Sequence, residues 1–262
     1  MGSCLDNERR VLPLGLQADD AALVRCATIC WVSWITFGVL QSLPSPGTGY
    51  FVRPPTGAGP GVLLIPSAWG LTEQVKDKAA ELADAGFTVL VPDLNGGKIA
   101  STVDEASELL MGSDINVSAS LAQSSLRLLQ AASPDPVAPV GLLGYAAGAS
   151  WALWLSIRFA EQCSAVVSFY GSQSILFDDA QASYLLHFAE HDNDVSDEDI
   201  ALMGLNLQLA RRHFRTEIHT GVASGFAEAH HPSFDPAAEV VAWRQTLEFL
   251  AEELRSPQPP SG

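Results

Sequence analysis

The chain has 262 residues, of which 47% are hydrophobic and 17% charged, the balance of a globular protein with a sizeable core. Fourteen basic residues against thirty acidic ones give a formal net charge of −16 at pH 7. This charge repels phosphate backbones and anionic lipid surfaces, so we expect no nucleic-acid partner, and membrane binding is disfavoured.

The first 43 residues form an N-terminal extension of unclear role. No residue between Arg25 and Arg53 is charged, and residues 26–40 are almost wholly apolar. This run is shorter than the roughly 20 apolar residues that span a bilayer, and it lacks the basic region and cleavage site of a signal peptide. A helix packed on the domain or on a partner and translated sequence upstream of the true start are the favoured interpretations. A weak membrane anchor remains open.

From residue 44 onward, strand-like and helix-like segments alternate. The sequence predicts strands at 50–55, 61–66, 87–94, 140–145, 163–171, 182–190 and 215–221, and the continuous apolar runs at 61–66 and 87–94 are typical of strands buried on both faces. Helical periodicity predicts helices at 71–86, 149–161, 196–213 and 235–254, and at 101–132 with a break at Ser113 or Asp114. The alternation predicts one α/β domain over 44–255, with a mostly parallel, doubly wound sheet, helices on both faces and a disordered tail at 256–262.

The cysteines and glycines give no sign of a cofactor. Cys4, Cys26, Cys30 and Cys163 form neither a disulfide framework nor a zinc-ligand pattern, which indicates free thiols in a reducing cytoplasm. No nucleotide-binding glycine motif follows a predicted strand. We therefore expect a cytoplasmic protein, monomeric or homodimeric, without a metal or cofactor.

The stretch VGLLGYAAGAS, residues 140–150, predicts a buried strand, a tight turn and a helix. Gly144 and Gly148 lie two residues on either side of Ala146, which is the G-x-Nuc-x-G spacing of a nucleophile elbow. Alanine has no nucleophilic atom. The sequence therefore has the glycine spacing of a nucleophile elbow without a nucleophilic residue at its centre.

From about Tyr50 to Leu254 the chain resembles the dienelactone hydrolase family of the α/β-hydrolases. Seven segments carry the resemblance in the family's order: GVLLIPSAWGL, LADAGFTVLVPDLNGGK, GLLGYAAGASWAL, VVSFYG, HFAEHDNDV, SGFAE and AWRQTLEFLAEEL. The resemblance implies an α/β-hydrolase fold. It also implies a cysteine nucleophile, a histidine base, an aspartate that orients the histidine, and a glutamate on the first loop.

The family's chemical residues are mostly replaced in this sequence. Asp192 matches the aspartate, but the nucleophile falls on Ala146, the histidine on Ser224 and the glutamate on Ser67. Three changes together, including histidine to serine, indicate natural divergence rather than a laboratory knockout. The resemblance thus implies a degenerate triad.

The resemblance also implies that the binding apparatus survives. The backbone N–H groups of Ala147 and Ala68 match the family's oxyanion hole, which needs no side chain. The other predicted pocket residues are aromatic, basic or histidine side chains near these positions: Trp69, Tyr145, Tyr170, Lys98, His230 and His231. Lys98 lies near the place where the family has a basic residue that holds a substrate carboxylate.

Three functions remain open from the sequence. The favoured one is binding of a small carbonyl or carboxylate compound, or a non-covalent cyclase-, isomerase- or lyase-type reaction that needs a placed acid or base but no nucleophile. The second is weak or repurposed hydrolysis of small esters or lactones, with Ser224 or a water molecule activated by His230 or His231. The third is a non-catalytic interaction protein with residues 26–40 as its interface.

Overall fold

The computed structural model describes residues 39–43 and 47–255. Within this part of the chain, eight strands form one sheet: β1 (Val39–Leu43), β2 (Gly47–Val52), β3 (Gly61–Ile65), β4 (Thr88–Pro92), β5 (Val140–Tyr145), β6 (Cys163–Phe169), β7 (Ser183–His191) and β8 (Phe214–Ala223). The helices are α1 (Glu73–Asp84), α2 (Val103–Met111), α3 (Ile115–Ala132), α4 (Ala147–Arg158), α5 (Asp197–Leu209) and α6 (Pro236–Arg255), with a 3₁₀ turn at Ala160–Gln162.

The sheet confirms the predicted fold class. Its strand order is β1-β2-β4-β3-β5-β6-β7-β8, and β3 to β8 run parallel to one another. Strand β2 pairs antiparallel with both β1 and β4, and these are the antiparallel pairings of the described residues. The carboxyl ends of the parallel strands therefore lie at one edge, where ligands bind in such sheets.

Alternation along each central strand fills two cores. Leu63 and Ile65 of β3 face a cluster shared with α3 and α4, whereas Val62 and Leu64 face the cluster shared with α1 and α6. All residues of β3 to β6 are buried, as expected for strands covered on both faces. Because these strands are covered on both faces, their sequences contain uninterrupted apolar runs.

The predicted break in the helical stretch 101–132 is also confirmed. Helix α2 ends at Met111, and Asp114 caps α3 by accepting hydrogen bonds from the N–H groups of Asn116 and Val117. The break lets α2 turn away from the sheet, and most of its residues are exposed. Helix α2 lies instead beside the cavity described below.

The start of the sheet differs from the prediction. The sequence predicts that residues 1–43 precede the domain, yet β1 pairs with β2 from Val39 opposite Phe51 to Leu43 opposite Gly47. The sheet therefore begins at least five residues before the predicted boundary at 44. Periodicity alone does not distinguish a helix from a strand in a continuous apolar run. The rest of the extension and the tail at 256–262 lie outside the described residues.

None of the described helices is long and apolar enough to cross a membrane.

Candidate active site

The elbow between β5 and α4 has the geometry that the glycine spacing predicts. Ala146 has φ 48° and ψ −115°, a conformation that L-residues rarely adopt and that costs on the order of 1–3 kcal/mol. A Cβ atom at Gly144 would collide with the backbone of Gly148, and one at Gly148 would collide with the carbonyl of Ile65. The glycines are required by this close packing of turn, helix and β3, whatever side chain occupies the elbow.

The first loop, after β3, is held against the elbow by its own turn and by a neighbouring loop. The N–H of Gly70 donates to the carbonyl of Ser67 (3.1 Å), and the side-chain amide of Asn95 donates to the carbonyl of Ala68 (2.9 Å). The loop that carries Asn95 is folded around the buried carboxylate of Asp93, which accepts from the N–H groups of Asn95 and Gly97. Two backbone loops thus fix the position of Ala68.

Two backbone N–H groups at this place have no acceptor among the described residues. Among the hydrogen bonds of the described residues, neither the N–H of Ala147 nor that of Ala68 donates to another group. Both residues line the same cavity. A ligand oxygen is the partner that unpaired N–H groups in such a position can bind.

The cavity above the elbow has a volume of about 160 Å³. Its floor and walls come from the first loop, the elbow, helix α2 and the loops that follow β6, β7 and β8. The residues that line it are Ser67, Ala68, Trp69, Val103, Ala106, Ser107, Leu110, Ala146, Ala147, Tyr170, Asp194, Ser224, Gly225, Glu228 and His231. It therefore brings together the positions of the nucleophile, the histidine and the first-loop glutamate.

A buried carboxyl group, Glu228, is the one strongly perturbed acid in this described lining. Its side chain accepts hydrogen bonds from the hydroxyl of Ser67 and from the phenol of Tyr170 (3.1 Å). Burial raises the pKa of Glu228 from 4.5 to about 7, although both hydroxyl donors act in the opposite direction. A carboxyl group with this pKa exchanges protons near neutral pH.

Glu228 is held in place from both sides. The turn after β8 is closed by hydrogen bonds from the N–H of Glu228 to the carbonyl of Gly225 (3.0 Å) and from His231 to the carbonyl of Glu228 (2.8 Å). Gln74 of α1 bonds the backbones of the two neighbours, accepting from Ala229 (2.6 Å) and donating to Ala227 (3.4 Å). The carboxyl group is therefore presented by a rigid turn.

The sequence patterns do not single out Glu228, although the segment SGFAE contains it. The family pattern directs attention to a base at position 224 and to the histidines that follow. A signal was present: Glu228 is a lone acid in the apolar stretch GFAEA, and Phe226 and Ala227 before it are fully or almost fully buried. Glu228 bonds Ser67, the residue that the resemblance matches to the first-loop glutamate.

We expect Glu228→Gln to stabilise the protein at high pH. The unfolded carboxyl loses its proton near pH 4.5 but the folded one near 7, so the stability of the wild type falls as pH rises through that window. The full penalty is about 3 kcal/mol by linkage. Urea unfolding should show E228Q more stable than wild type by up to about that amount at pH 8 and similar to it at pH 4.

The exposed Glu108→Gln on α2 is the matched control, and it should change stability little at either pH. Equal stabilities of E228Q and wild type at pH 8 would contradict the raised pKa.

Asp192, which the resemblance matches to the family's aspartate, has one carboxylate oxygen without a partner among the described residues. One carboxylate oxygen accepts from the N–H groups of Asp194 (2.8 Å) and Val195 (3.1 Å), and the other is buried without a hydrogen-bond partner among the described residues. Ser224, at the histidine position, lines the cavity and bonds through its backbone N–H to the carbonyl of His191.

The two adjacent histidines of the last loop are separated by the turn. His230 is exposed and lies outside the cavity lining, whereas His231 is half-buried and lines it. The ring of His231 packs edge-on against Trp69, at 6.1 Å between centroids, and directly over Gly225. Burial lowers the pKa of His231, with Asp194 acting against this shift. An imidazole thus enters the cavity from position 231 instead of 224.

The remaining predicted pocket residues divide into two groups. Trp69 and Tyr170 line the cavity, whereas Tyr145 is buried in the core and stacks on Phe169 at 4.7 Å. Lys98 is exposed and does not line the cavity. Its loop turns at Gly96 and Gly97, both with positive φ, and the carbonyl group of Lys98 lies close to Gly70 of the first loop.

The histidines of the sheet form a separate cluster. His187 is fully buried and hydrogen-bonded to His219 (3.1 Å) and Thr246 (3.2 Å), and burial lowers its pKa to about 3. His191 is exposed. The described histidines apart from His231 therefore stand outside the cavity.

The sequence also matches known proteins. The model of the dienelactone hydrolase family matches residues 48–254. Protein usf of Aquifex pyrophilus is 26% identical over 216 residues, covering 79% of this chain and 93% of that protein. Carboxymethylenebutenolidase 1 of Cupriavidus pinatubonensis (strain JMP 134 / LMG 1197) is 26% identical over 219 residues, covering 77% and 90%.

Among solved structures, a dienelactone hydrolase-like promiscuous phosphotriesterase from metagenomic libraries superimposes with a TM-score of 0.68. The two sequences are 24% identical, and the match covers 79% of this chain and 92% of that one. This likeness supports the same overall fold.

Proposed function

Because this chain belongs to the dienelactone hydrolase family but has alanine at the elbow, we propose that it catalyses a non-covalent proton transfer on a small carbonyl compound. Isomerisation, cyclisation and elimination are reactions of this kind. The observation that carries the proposal is Glu228, a buried carboxyl group with a pKa of about 7 in the wall of the cavity. The retained acid Asp192 does not line that cavity in the described structure.

The proposed step needs only groups of this chain and the substrate. The Glu228 carboxylate takes a proton from the carbon next to the carbonyl group, and the C–H electron pair becomes the enolate. The neutral Glu228 then returns the proton to the same carbon, to a conjugated carbon or to the oxygen. Because its pKa is close to neutral, Glu228 can act in both directions.

The unpaired N–H groups of Ala147 and Ala68 support the same step. Both residues line the cavity with Glu228, and an enolate oxygen carries the negative charge that such donors stabilise. Preorganised donors of this kind act on charge that develops in the transition state, and they do so without a nucleophile. A small residue at 146 leaves the space above them for the substrate's carbonyl group.

Hydrolysis is the second candidate. Ser224 and His231 line one cavity, and the relative Carboxymethylenebutenolidase 1 bears the name of a lactone-cleaving enzyme. In this alternative, His231 or Glu228 removes a proton from a water molecule that attacks the ester or lactone carbonyl. The interaction-protein alternative depends on residues 26–40, which lie almost entirely outside the described residues.

Exchange of substrate protons for deuterium tests the proposal. We expect the protein in D₂O to catalyse exchange at the carbon next to the carbonyl group in small ketones and lactones, followed by ¹H NMR. Parallel assays with p-nitrophenyl esters measure hydrolysis on wild type, Ser224→Ala and His231→Ala. If every ketone and lactone tested exchanged at the uncatalysed rate, the proposal would be contradicted. Ester hydrolysis that depends on His231 would favour the second candidate.

A further inference from the structure

The charged side chains of the cavity lining do not suit the substrate carboxylate that the family resemblance implies. The lining contains the carboxyl groups of Asp194 and Glu228 and the imidazole of His231, but none of the described arginines or lysines. A smaller neighbouring cavity shares Ser67, Ala68, Leu110 and Ala147 with it and has no charged side chain in its described lining. A substrate in this space therefore meets two carboxyl groups and one imidazole, and no lysine or arginine of the described residues.

The described lysines near the cavity do not offset the negative charge of its lining. Lys98, where the resemblance implies a partner for a substrate carboxylate, is exposed and does not line the cavity. The lysines of α1 are paired, Lys76 with Glu73 and Lys78 with Glu81 and Glu239. An anionic group that entered the cavity would lose water without gaining a described lysine or arginine, and this is costly.

One wall of the cavity is apolar and open to solvent. Val103 and Leu110 of α2 line it while 45% and 49% exposed, and Ala106 lies between them on the same helix. Trp69 adds an aromatic surface at the first loop. Solvent-exposed apolar side chains at a cavity mouth are covered when a ligand with an apolar substituent binds.

From these charges and surfaces we infer that the cavity selects an uncharged carbonyl compound with an apolar substituent and rejects carboxylates. This inference rests on the proposed function for the placement of the carbonyl group at the Ala68 and Ala147 amides. The substituent lies along α2. Asp194, at the exposed end of the lining, is the residue that sets the charge preference at the entrance.

A matched pair of probes tests the inference. 4-Phenylbutan-2-one and 3-phenylpropanoate both place the carbonyl carbon two methylene groups from a phenyl ring, and they differ in carrying a methyl group or a carboxylate oxygen on that carbon. By titration calorimetry at pH 8, we expect the ketone to bind at least about tenfold more tightly. Equal or tighter binding of the carboxylate, or failure of the ketone to bind, would overturn the inference.

Substitutions test whether Asp194 causes the preference for the ketone over the carboxylate. Asp194→Asn should reduce the ratio of the two affinities by about threefold or more, whereas Asp178→Asn, an exposed change outside the cavity, should leave it unchanged. An unchanged ratio in D194N would refute the role of Asp194. Binding is measured without turnover, so the two proposals can fail separately. If the ketone and the carboxylate bind equally but deuterium exchange still depends on Glu228, this inference alone is rejected. If the ketone is preferred but exchange does not depend on Glu228, the proposed function alone is rejected.

Discussion

Replacing Glu228 by glutamine is expected to lower the rate of deuterium exchange into a bound ketone by about 10²–10⁴-fold. Glutamine fills nearly the same volume, and its amide oxygen can accept from one of Ser67 and Tyr170 while its NH2 group donates to the other hydroxyl, but it cannot take a proton from carbon. Ketone affinity should therefore change far less than the rate. Exchange measured by ¹H NMR at saturating ketone separates the two effects.

Loss of folding would not explain this result, because E228Q is expected to be more stable than wild type at pH 8. Glu108→Gln, on the exposed side of α2, serves as the control and should exchange at the wild-type rate. If E228Q retained the wild-type rate, Glu228 would not be the base, and the proposed mechanism would have no other buried carboxyl group in the described lining to use.

Restoring two residues should give the chain covalent hydrolytic activity. In Ala146→Cys/Ser224→His, a thiol stands on the strained elbow, and we expect the introduced imidazole to donate to the oxygen of Asp192 that has no partner among the described residues. A nucleophile, a base and an orienting acid then act as a unit. We expect p-nitrophenyl acetate hydrolysis about 10³-fold above wild type, with an acetyl group on the introduced thiol visible by mass spectrometry.

The single variants are the controls for this gain. Ala146→Cys alone lacks a base at position 224, and Ser224→His alone lacks a nucleophile, so each should show a small part of the combined effect. A double variant that is folded but no more active than A146C would mean that the site has diverged beyond the three replaced side chains. The wild-type elbow has alanine, which cannot be acetylated, so the wild type should show no added acetyl group at residue 146 by mass spectrometry.

The fold was predictable because its signals are local. Continuous apolar runs identified the strands buried on both faces, and the Gly144/Gly148 spacing identified a turn whose sterics leave no room for a side chain. Strand β1 was missed because an uncharged apolar run fits a helix or a strand, and its pairing with β2 depends on contacts that the run itself does not encode.

The site was only partly predictable because its chemistry is non-local. Ser67 and Glu228 are 161 positions apart, and no pattern around either residue indicates that they share a hydrogen bond. His230 and His231 are adjacent, and only the turn that follows β8 decides which of them reaches the cavity. Lys98 is the converse case, since the linear order placed it near the site but its side chain is exposed and does not line the cavity.

The pH dependence of deuterium exchange tests the central claim most directly. The carboxylate form of Glu228 is the base, so the rate in wild type should rise with pH and reach half its maximum near 7. Because the Tyr170 hydroxyl lowers the pKa of Glu228, Tyr170→Phe should move this midpoint to higher pH. A rate independent of pH between about 5 and 9, or an unmoved midpoint in Y170F, would contradict the assignment of Glu228 as the base.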